Sequence, residues 1–153
     1  MEPHSIFLRS WVRRLPLTQR KIRRLSRTVL KGERIDRAEI SIAVVADKRM
    51  ADLAQRYARR RYRTDVFAFD LSDHKGELTA QVIVNAQLAR DRARQFHIDP
   101  GSELALYIVH GLLHLCGYDD HRSQDARRMH RRTKKYLLEA GFKNPPPLPE
   151  PGE

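Results

Sequence analysis

The chain has 153 residues and a formal net charge of +11 at pH 7. This length is typical of one domain with a single core, and the charge indicates a polyanionic partner, either nucleic acid or an anionic membrane surface. A single cysteine excludes an intrachain disulfide, and no apolar run reaches the roughly 18 residues of a membrane span. The start of the sequence lacks the pattern of a secretory signal, so we expect a cytoplasmic protein.

The first part of the chain predicts a strand, a basic helix and a second strand. Residues 6–8 are apolar and predict either a short strand or a hydrophobic plug. Apolar residues then recur at helical spacing between Thr18, a predicted N-cap, and Gly32, a predicted end. A run rich in β-branched residues predicts a strand over residues 39–46, and Asp47 is predicted to cap the helix that follows.

The second part of the chain predicts a hairpin and three helices. Strands over residues 64–71 and 78–84 flank turn-forming residues, which favours antiparallel pairing. Residues with N-cap chemistry precede each of the three helical patterns: Asn85, Asp99 and Ser123. The last helix is predicted to end at Gly141. Residues 144–153 are proline-rich without apolar periodicity and predict a disordered tail beyond one domain of residues 1–143.

Two histidines interrupt the apolar run of residues 104–116. Because side chains four apart lie above one another on a helix, His110 and His114 can reach one metal ion. Gly117 is a predicted C-cap that turns the chain back, so the acidic and histidine side chains of residues 119–121 can supply a third ligand. Buried imidazoles cost a few kcal/mol unless satisfied, which favours a metal site over two hydrogen-bonded core histidines.

A second segment points to phosphate. Residues 56–63 contain five arginines with Tyr57 and Tyr62 between them. Arginine beside aromatic rings binds phosphate and stacks on bases, although the same pattern is typical of an exposed helix end. Four arginines of this segment are predicted to contact RNA: Arg56, Arg60, Arg61 and Arg63.

The residue after the first histidine argues against a zinc peptidase. Peptidases of the HExxH type carry a glutamate general base directly after that histidine. Gly111 occupies the position here. The peptidase mechanism therefore lacks its base.

These residues together resemble a known family. The segment HGLLHLCGYDD at residues 110–120 resembles the signature H-G-x-L-H-L-x-G-Y-D-H of the YbeY family of metal-dependent endoribonucleases. Tyr57, followed by Thr-Asp-Val at residues 64–66 and by Phe69, is similar to the family block Y-R-x-x-D-x-x-T-D-V-L-S-F. The resemblance covers about residues 40–140.

The resemblance implies a single α+β domain, with a small mixed β-sheet flanked by helices and the histidines on a buried helix. It also implies one zinc ion, no small-molecule cofactor, and single-strand-type endonucleolytic cleavage of RNA in ribosomal RNA maturation and ribosome quality control. The implied partners are ribosomal RNA and the small ribosomal subunit.

Individual family residues carry over unevenly. His110 and His114 match the first two zinc ligands. The family spacing places the third ligand at Asp120, which we prefer, whereas the nearest histidine is His121. The family arginine after the tyrosine is replaced by Ala58, so Arg59 is a candidate for its catalytic role and Asp119 is a candidate for moving protons.

Two other functions also fit the sequence. One is a metallohydrolase that acts on a substrate other than RNA. The other is a non-catalytic, ribosome-associated RNA-binding protein with a structural zinc.

Overall fold

Four strands form one mixed sheet in the computed structural model, which describes residues 3–58, 63–73, 76–143 and 146. The strands are β1 (His4–Ser10), β2 (Arg37–Val45), β3 (Val66–Asp70) and β4 (Glu77–Asn85), in the spatial order β1-β2-β4-β3. β1, β2 and β4 are parallel, and β3 pairs antiparallel with β4 at the sheet edge. The predicted strands and the antiparallel hairpin are confirmed.

Five α-helices accompany the sheet in this part of the chain. They are α1 (Gln19–Gly32), α2 (Asp47–Leu53), α3 (Ala86–Phe96), α4 (Pro100–Leu115) and α5 (Ser123–Glu139). A short π-helical turn, Ala54–Ala58, continues α2. The predicted α+β domain with a mixed sheet is therefore confirmed.

Side chains alternate between two faces of this sheet. The face that carries Ile40, Ile42 and Val44 is buried in the main core beneath α1, α3, α4 and α5, and we call it the inner face. The opposite side, the outer face, is covered in part by α2 through a small cluster of Val45, Met50 and Ile83. The domain thus has a thick helical layer on one side and a thin one on the other.

Three of the five predicted helix caps are confirmed. The side chains of Thr18, Asn85 and Asp99 each accept a hydrogen bond from a backbone N–H three residues further on. The predictions for Asp47 and Ser123 are wrong by one residue. The carbonyls of the preceding residues, Ala46 and Arg122, already accept the first intrahelical bonds, so Asp47 and Ser123 are the first helical residues.

The predicted tail of residues 144–153 lies outside the described residues except for Pro146. The prediction of one domain over residues 1–143 with a disordered tail therefore stays a prediction. Among the helices that the structure describes, none has both the length and the apolar character needed to cross a bilayer.

Candidate metal centre

Helix α4 holds the first candidate ligand inside the protein. All residues from Glu103 to Val109 are buried, so the helix is surrounded by packing and cannot rotate or shift easily. His110 lies on this helix, and its Nε2 atom is buried without a hydrogen-bond partner. An unpartnered buried imidazole nitrogen is costly in a folded protein, and a metal ion is one partner that removes the cost.

The surroundings of His110 keep its ring neutral. Burial lowers the pKa of His110 to about 4, and the electrostatic interactions with His114 and His130 act in the same direction, while Asp120 opposes them. A neutral imidazole is the form that donates a lone pair to a metal. His110 is therefore ready for coordination at neutral pH.

The second histidine is exposed and is oriented by the end of the helix. Gly117 adopts a left-handed φ of +95°, and the Tyr118 N–H donates to the Leu113 carbonyl at 3.0 Å. This turn brings the Tyr118 carbonyl to 3.0 Å from Nδ1 of His114. Because a carbonyl only accepts, Nδ1 carries the proton and Nε2 keeps the lone pair. Metal-bound histidines are typically oriented in this way.

The loop after Gly117 supplies the third group of candidate ligands. Among the described residues, Asp119, Asp120 and His121 form a group that could hold a metal ion, since their ligand atoms lie within 4.8 Å of one another. All three are exposed, and the Asp119 carboxylate accepts the His121 N–H at 2.6 Å. The two helix histidines are not members of this group, although the charge of Asp120 acts on His110. The choice between Asp120 and His121 as third ligand stays a prediction.

The donor set as a whole fits a zinc ion. Histidine nitrogen and carboxylate oxygen are the zinc ligands expected outside cysteine sites. Cys116, between the helix and the loop, does not compete, since burial raises the pKa of its thiol to about 11 and so disfavours the thiolate that binds metal.

Close packing explains why a glycine follows the first histidine. A Cβ atom at Gly111 would lie 2.9 Å from side-chain carbons of both Val66 and Val82, inside van der Waals contact. Helix α4 therefore lies directly on β3 and β4 at this point. No glutamate side chain fits here, and the peptidase base is excluded by sterics as well as by sequence.

Comparisons with known proteins identify the family of this chain. The family described as Endoribonuclease YbeY matches residues 12–141. This chain belongs to the YbeY family. A relative named Endoribonuclease YbeY from Anaeromyxobacter sp. is 41% identical over 107 residues, which cover 69% of this chain and 56% of the relative. One from Legionella pneumophila is 29% identical over 136 residues, which cover 86% of this chain and 85% of the relative.

The fold comparison finds a similar architecture in a solved structure. The solution structure of a Thermotoga maritima protein matches with a TM-score of 0.61 at 25% identity, covering 88% of each chain. This YbeY-family chain spans about half the length of the Anaeromyxobacter relatives that it matches, 56% of one and 49% of another.

A buried polar group beside His114 was missed by sequence reasoning. Burial raises the pKa of Asp65, which precedes β3, while the charges of Arg92 and His114 oppose the rise. Burial likewise raises the pKa of Glu103, which shares a hydrogen bond with Tyr107. A glutamate in the first turn of an otherwise apolar helix was the available sequence signal. Asp65 therefore interacts electrostatically with one of the two candidate histidine ligands of this YbeY-family protein, and with Glu103.

His130 was missed as well. It lies half-buried on α5, and its charge acts on His110. No local pattern marks it, because it stands in a helix of repeated basic residues and only the packing of α5 against α4 brings it near.

The arginine segment is described only at its ends. Arg56 is exposed. Arg63 donates to both carboxylate oxygens of Asp47, at 3.0 and 2.8 Å, and to Asp91 at 2.8 Å. A phosphate at Arg63 must therefore compete with two carboxylates. Three of the predicted site residues lie outside the described residues: Arg59, Arg60 and Arg61.

Proposed function

We propose that this chain is a zinc-dependent endoribonuclease that cleaves ribosomal RNA during its maturation and in ribosome quality control. The observation that carries the proposal is the pairing on α4 of a buried, unpartnered His110 Nε2 with His114, whose Nδ1 is occupied by a carbonyl. Family membership and the names of the relatives support cleavage of RNA. The clash at Gly111 argues against the peptidase alternative.

Under this proposal, His110, His114 and one side chain of the loop hold a single zinc ion. We prefer Asp120 as the third ligand, with His121 as the alternative. When bound, zinc supplies a Lewis acid that polarises a phosphoryl oxygen and lowers the pKa of a water molecule. Asp119, exposed beside the third ligand, accepts or returns a proton.

Basic side chains hold the RNA in this proposal. The net charge of +11 favours binding to a polyanion, and Arg56 presents an exposed guanidinium near the sheet. Arg60, Arg61 and Arg63 contribute further phosphate contacts, and Arg59 takes the catalytic place left by Ala58. Ribosomal RNA and the small ribosomal subunit are the proposed partners.

The first test is cleavage of structured ribosomal RNA by zinc-loaded wild type, His114→Ala and the control His97→Asn. His97 is an exposed histidine at a left-handed position, φ +56°, which asparagine tolerates. We expect His114→Ala to lose cleavage by a factor of at least about 100, since a metal ligand is removed, and His97→Asn to keep it. Zinc-loaded wild type that leaves RNA intact would overturn the proposal.

The second test assigns the third ligand. Zinc content is measured by elemental analysis for wild type, Asp120→Ala and His121→Ala after dialysis against a weak chelator. We expect one zinc per chain in wild type and in His121→Ala, and a loss in Asp120→Ala. A loss in His121→Ala alone would assign the ligand to His121 and show that the loop departs from the family spacing.

A further inference from the structure

The ring of His114 depends on the main chain for its orientation. The ring is exposed to solvent, so packing does not fix it as it fixes the helix around His110. Its Nδ1 atom lies 3.0 Å from the Tyr118 carbonyl. Gly117 before that residue is exposed, with a left-handed φ of +95°, and provides no packing that would hold the carbonyl in place. Whatever fixes Tyr118 therefore fixes the direction of the second candidate ligand.

The side chain of Tyr118 is anchored to the helical layer. Its ring packs against the main core and its centre lies 5.0 Å from the guanidinium carbon of Arg128 on α5, within the range of cation–π contacts. Its hydroxyl lies within hydrogen-bonding reach of the Glu33 carboxylate and close to Arg132. Because a carboxylate only accepts, the hydroxyl is the donor of this contact.

Glu33 is itself fixed at the end of α1. Its backbone N–H donates to the Val29 carbonyl at 2.9 Å, and its side chain is only 10% exposed. The carboxylate accepts a hydrogen bond from the buried Tyr136 hydroxyl of α5 and lies 4.0 Å from Nε of Arg132. A negative charge at the C-terminal end of a helix is unfavourable by itself. Two tyrosine hydroxyls and one arginine compensate for it here.

Gly32 allows the contact between α1 and α5. A Cβ atom at this position would lie 2.2 Å from Cε1 of Tyr136 and 2.6 Å from its hydroxyl oxygen, so any other residue would displace the ring. The tyrosine ring therefore lies directly on the last turn of α1, and its hydroxyl reaches Glu33. The glycine at the end of this helix thus serves the packing of the cluster as well as the end of the helix.

We propose that Glu33 is a positioning residue of the metal centre. Its carboxylate holds the Tyr118 side chain against α1 and α5, and the carbonyl of the same tyrosine holds the His114 ring with Nδ1 protonated and Nε2 free. Glu33 acts through Tyr118 and does not contact the ion. Outer partners of this kind orient metal ligands and raise metal affinity. The inference rests on the proposed function, since that function makes His114 a zinc ligand.

The first readout does not require the metal. Zinc-free protein is labelled with ¹⁵N-histidine, and the nitrogen signals show which ring nitrogen carries the proton at about pH 8, where imidazole is neutral. The His114→Ala variant assigns the signal. We expect the Nδ1–H form of His114 in wild type, and a mixture of the two neutral forms in Tyr118→Phe and in Glu33→Ala.

Tyr136→Phe is the matched control. It removes a hydroxyl from the same carboxylate, but Tyr136 belongs to α5 and contributes no atom to the loop after α4. We expect this variant to lower the urea midpoint, because a buried hydrogen bond is lost. The Nδ1–H form of His114 should nevertheless persist.

The second readout is zinc affinity, measured by competition with a chelator. We expect Tyr118→Phe and Glu33→Ala each to weaken zinc binding about fivefold, below the roughly 10–100-fold effect of removing a direct partner of a ligand. The double variant should bind no more weakly than either single variant, because both changes remove the same contact. Glu33→Gln keeps an acceptor oxygen and should restore most of the affinity.

The outcomes separate this inference from the proposed function. An unchanged His114 tautomer in Tyr118→Phe and Glu33→Ala, or an unchanged zinc affinity, would overturn the inference even if RNA is cleaved. Equal effects of these variants and Tyr136→Phe would also overturn it, since the cluster would then serve stability alone. A tautomer change absent from Tyr136→Phe supports the positioning of His114 even if no RNA is cleaved. Tyr118→Phe removes one hydroxyl and keeps the test valid if Glu33→Ala fails to fold.

Discussion

The two faces of the sheet are built by different interactions. On the inner face, α4 is buried from Glu103 to Val109 and packs so closely on β3 and β4 that only glycine fits at position 111. On the outer face, the short helix α2 is attached through three buried side chains and through polar contacts of Asp47 with Arg63 and Asn85. The buried candidate ligand His110 lies on the first side, and open surface lies on the second.

This difference shows how one chain of 153 residues combines a tightly packed face with an exposed one. Dense packing holds His110 where its nitrogen has no protein partner, and a mobile side chain would find one. The outer face instead leaves large apolar side chains open to solvent, among them Phe7 and Leu71. Substitutions on the two faces should therefore differ in how much they change the free energy of unfolding.

The largest expected effect concerns His110 in the metal-free protein. The folded state lowers its pKa from 6.5 to about 4, first through burial and then through His114 and His130. As the pH falls below 6.5, the unfolded ring gains a proton that the folded ring refuses, so acid favours unfolding. We expect the free energy of unfolding to fall by up to about 3 kcal/mol between pH 6.5 and 4, as measured by urea denaturation midpoints. The His110→Leu variant should lose this dependence of stability on pH, and His97→Asn should keep it. The same pH dependence in wild type and His110→Leu would contradict the burial of His110.

Gly111→Ala is the next prediction on the inner face. The added methyl overlaps Val66 and Val82, so we expect the free energy of unfolding to fall by about 1–3 kcal/mol. The double variant Gly111→Ala/Val66→Ala opens space at the same contact. Its loss should be smaller than the sum of the two single losses, and strict additivity would show that α4 is not in close contact with β3.

Asn85 tests the polar attachment on the outer side. Its side chain caps α3 at Leu88 and donates to Asp47 and to the Thr64 carbonyl. We expect Asn85→Ala to cost about 1–2 kcal/mol in thermal or urea unfolding. Thr18→Ala is the matched control, since Thr18 caps α1 through one exposed bond. If the two variants cost the same, the contacts of Asn85 with Asp47 and Thr64 contribute nothing measurable.

The smallest effect is expected at the ion pair of Arg63 with Asp47. Burial alone would raise the pKa of Asp47. Hydrogen bonds from Arg63 and Asn85 outweigh this effect, so the pKa of Asp47 in the folded protein lies below its ordinary value of 3.8. The pair therefore stabilises the fold above the unfolded value of 3.8, and its contribution disappears as acid protonates Asp47. Both side chains are partly exposed, so Arg63→Gln should cost about 0.5–1 kcal/mol at pH 7 and nothing near pH 2. A difference that persists at acidic pH would assign the effect to packing of the Arg63 side chain and not to its ion pairs.

Periodicity predicted the fold because each element carries its own local signal. Alternating β-branched residues mark β2, and the caps at Thr18, Asn85 and Asp99 mark the starts of three helices. Asp47 and Ser123 were misplaced because a residue with cap chemistry serves equally well in the first turn. At Asp47 the carboxylate binds Arg63 and Asn85, which are distant in sequence.

The candidate site was predictable only where its residues are close in sequence. His110 and His114 lie one helical turn apart, and the chain itself brings residues 119–121 back after Gly117. Asp65 and His130 come from other elements, so only tertiary packing reveals them. The contacts on the outer face could not be predicted from local sequence either, because Arg9 in β1 and Arg49 in α2 meet at Trp11 only in the folded chain.

Tyr118 has two roles at the end of α4. Tyr118 is the residue at which the chain reverses after Gly117, and its oxygen is also the acceptor for the His114 ring. Fraying of that last turn would release the imidazole to rotate, and an ion held at the other ring nitrogen would oppose the fraying. Uptake of the ion and protection of the Cys116–Tyr118 amides against hydrogen exchange should therefore rise and fall as one equilibrium.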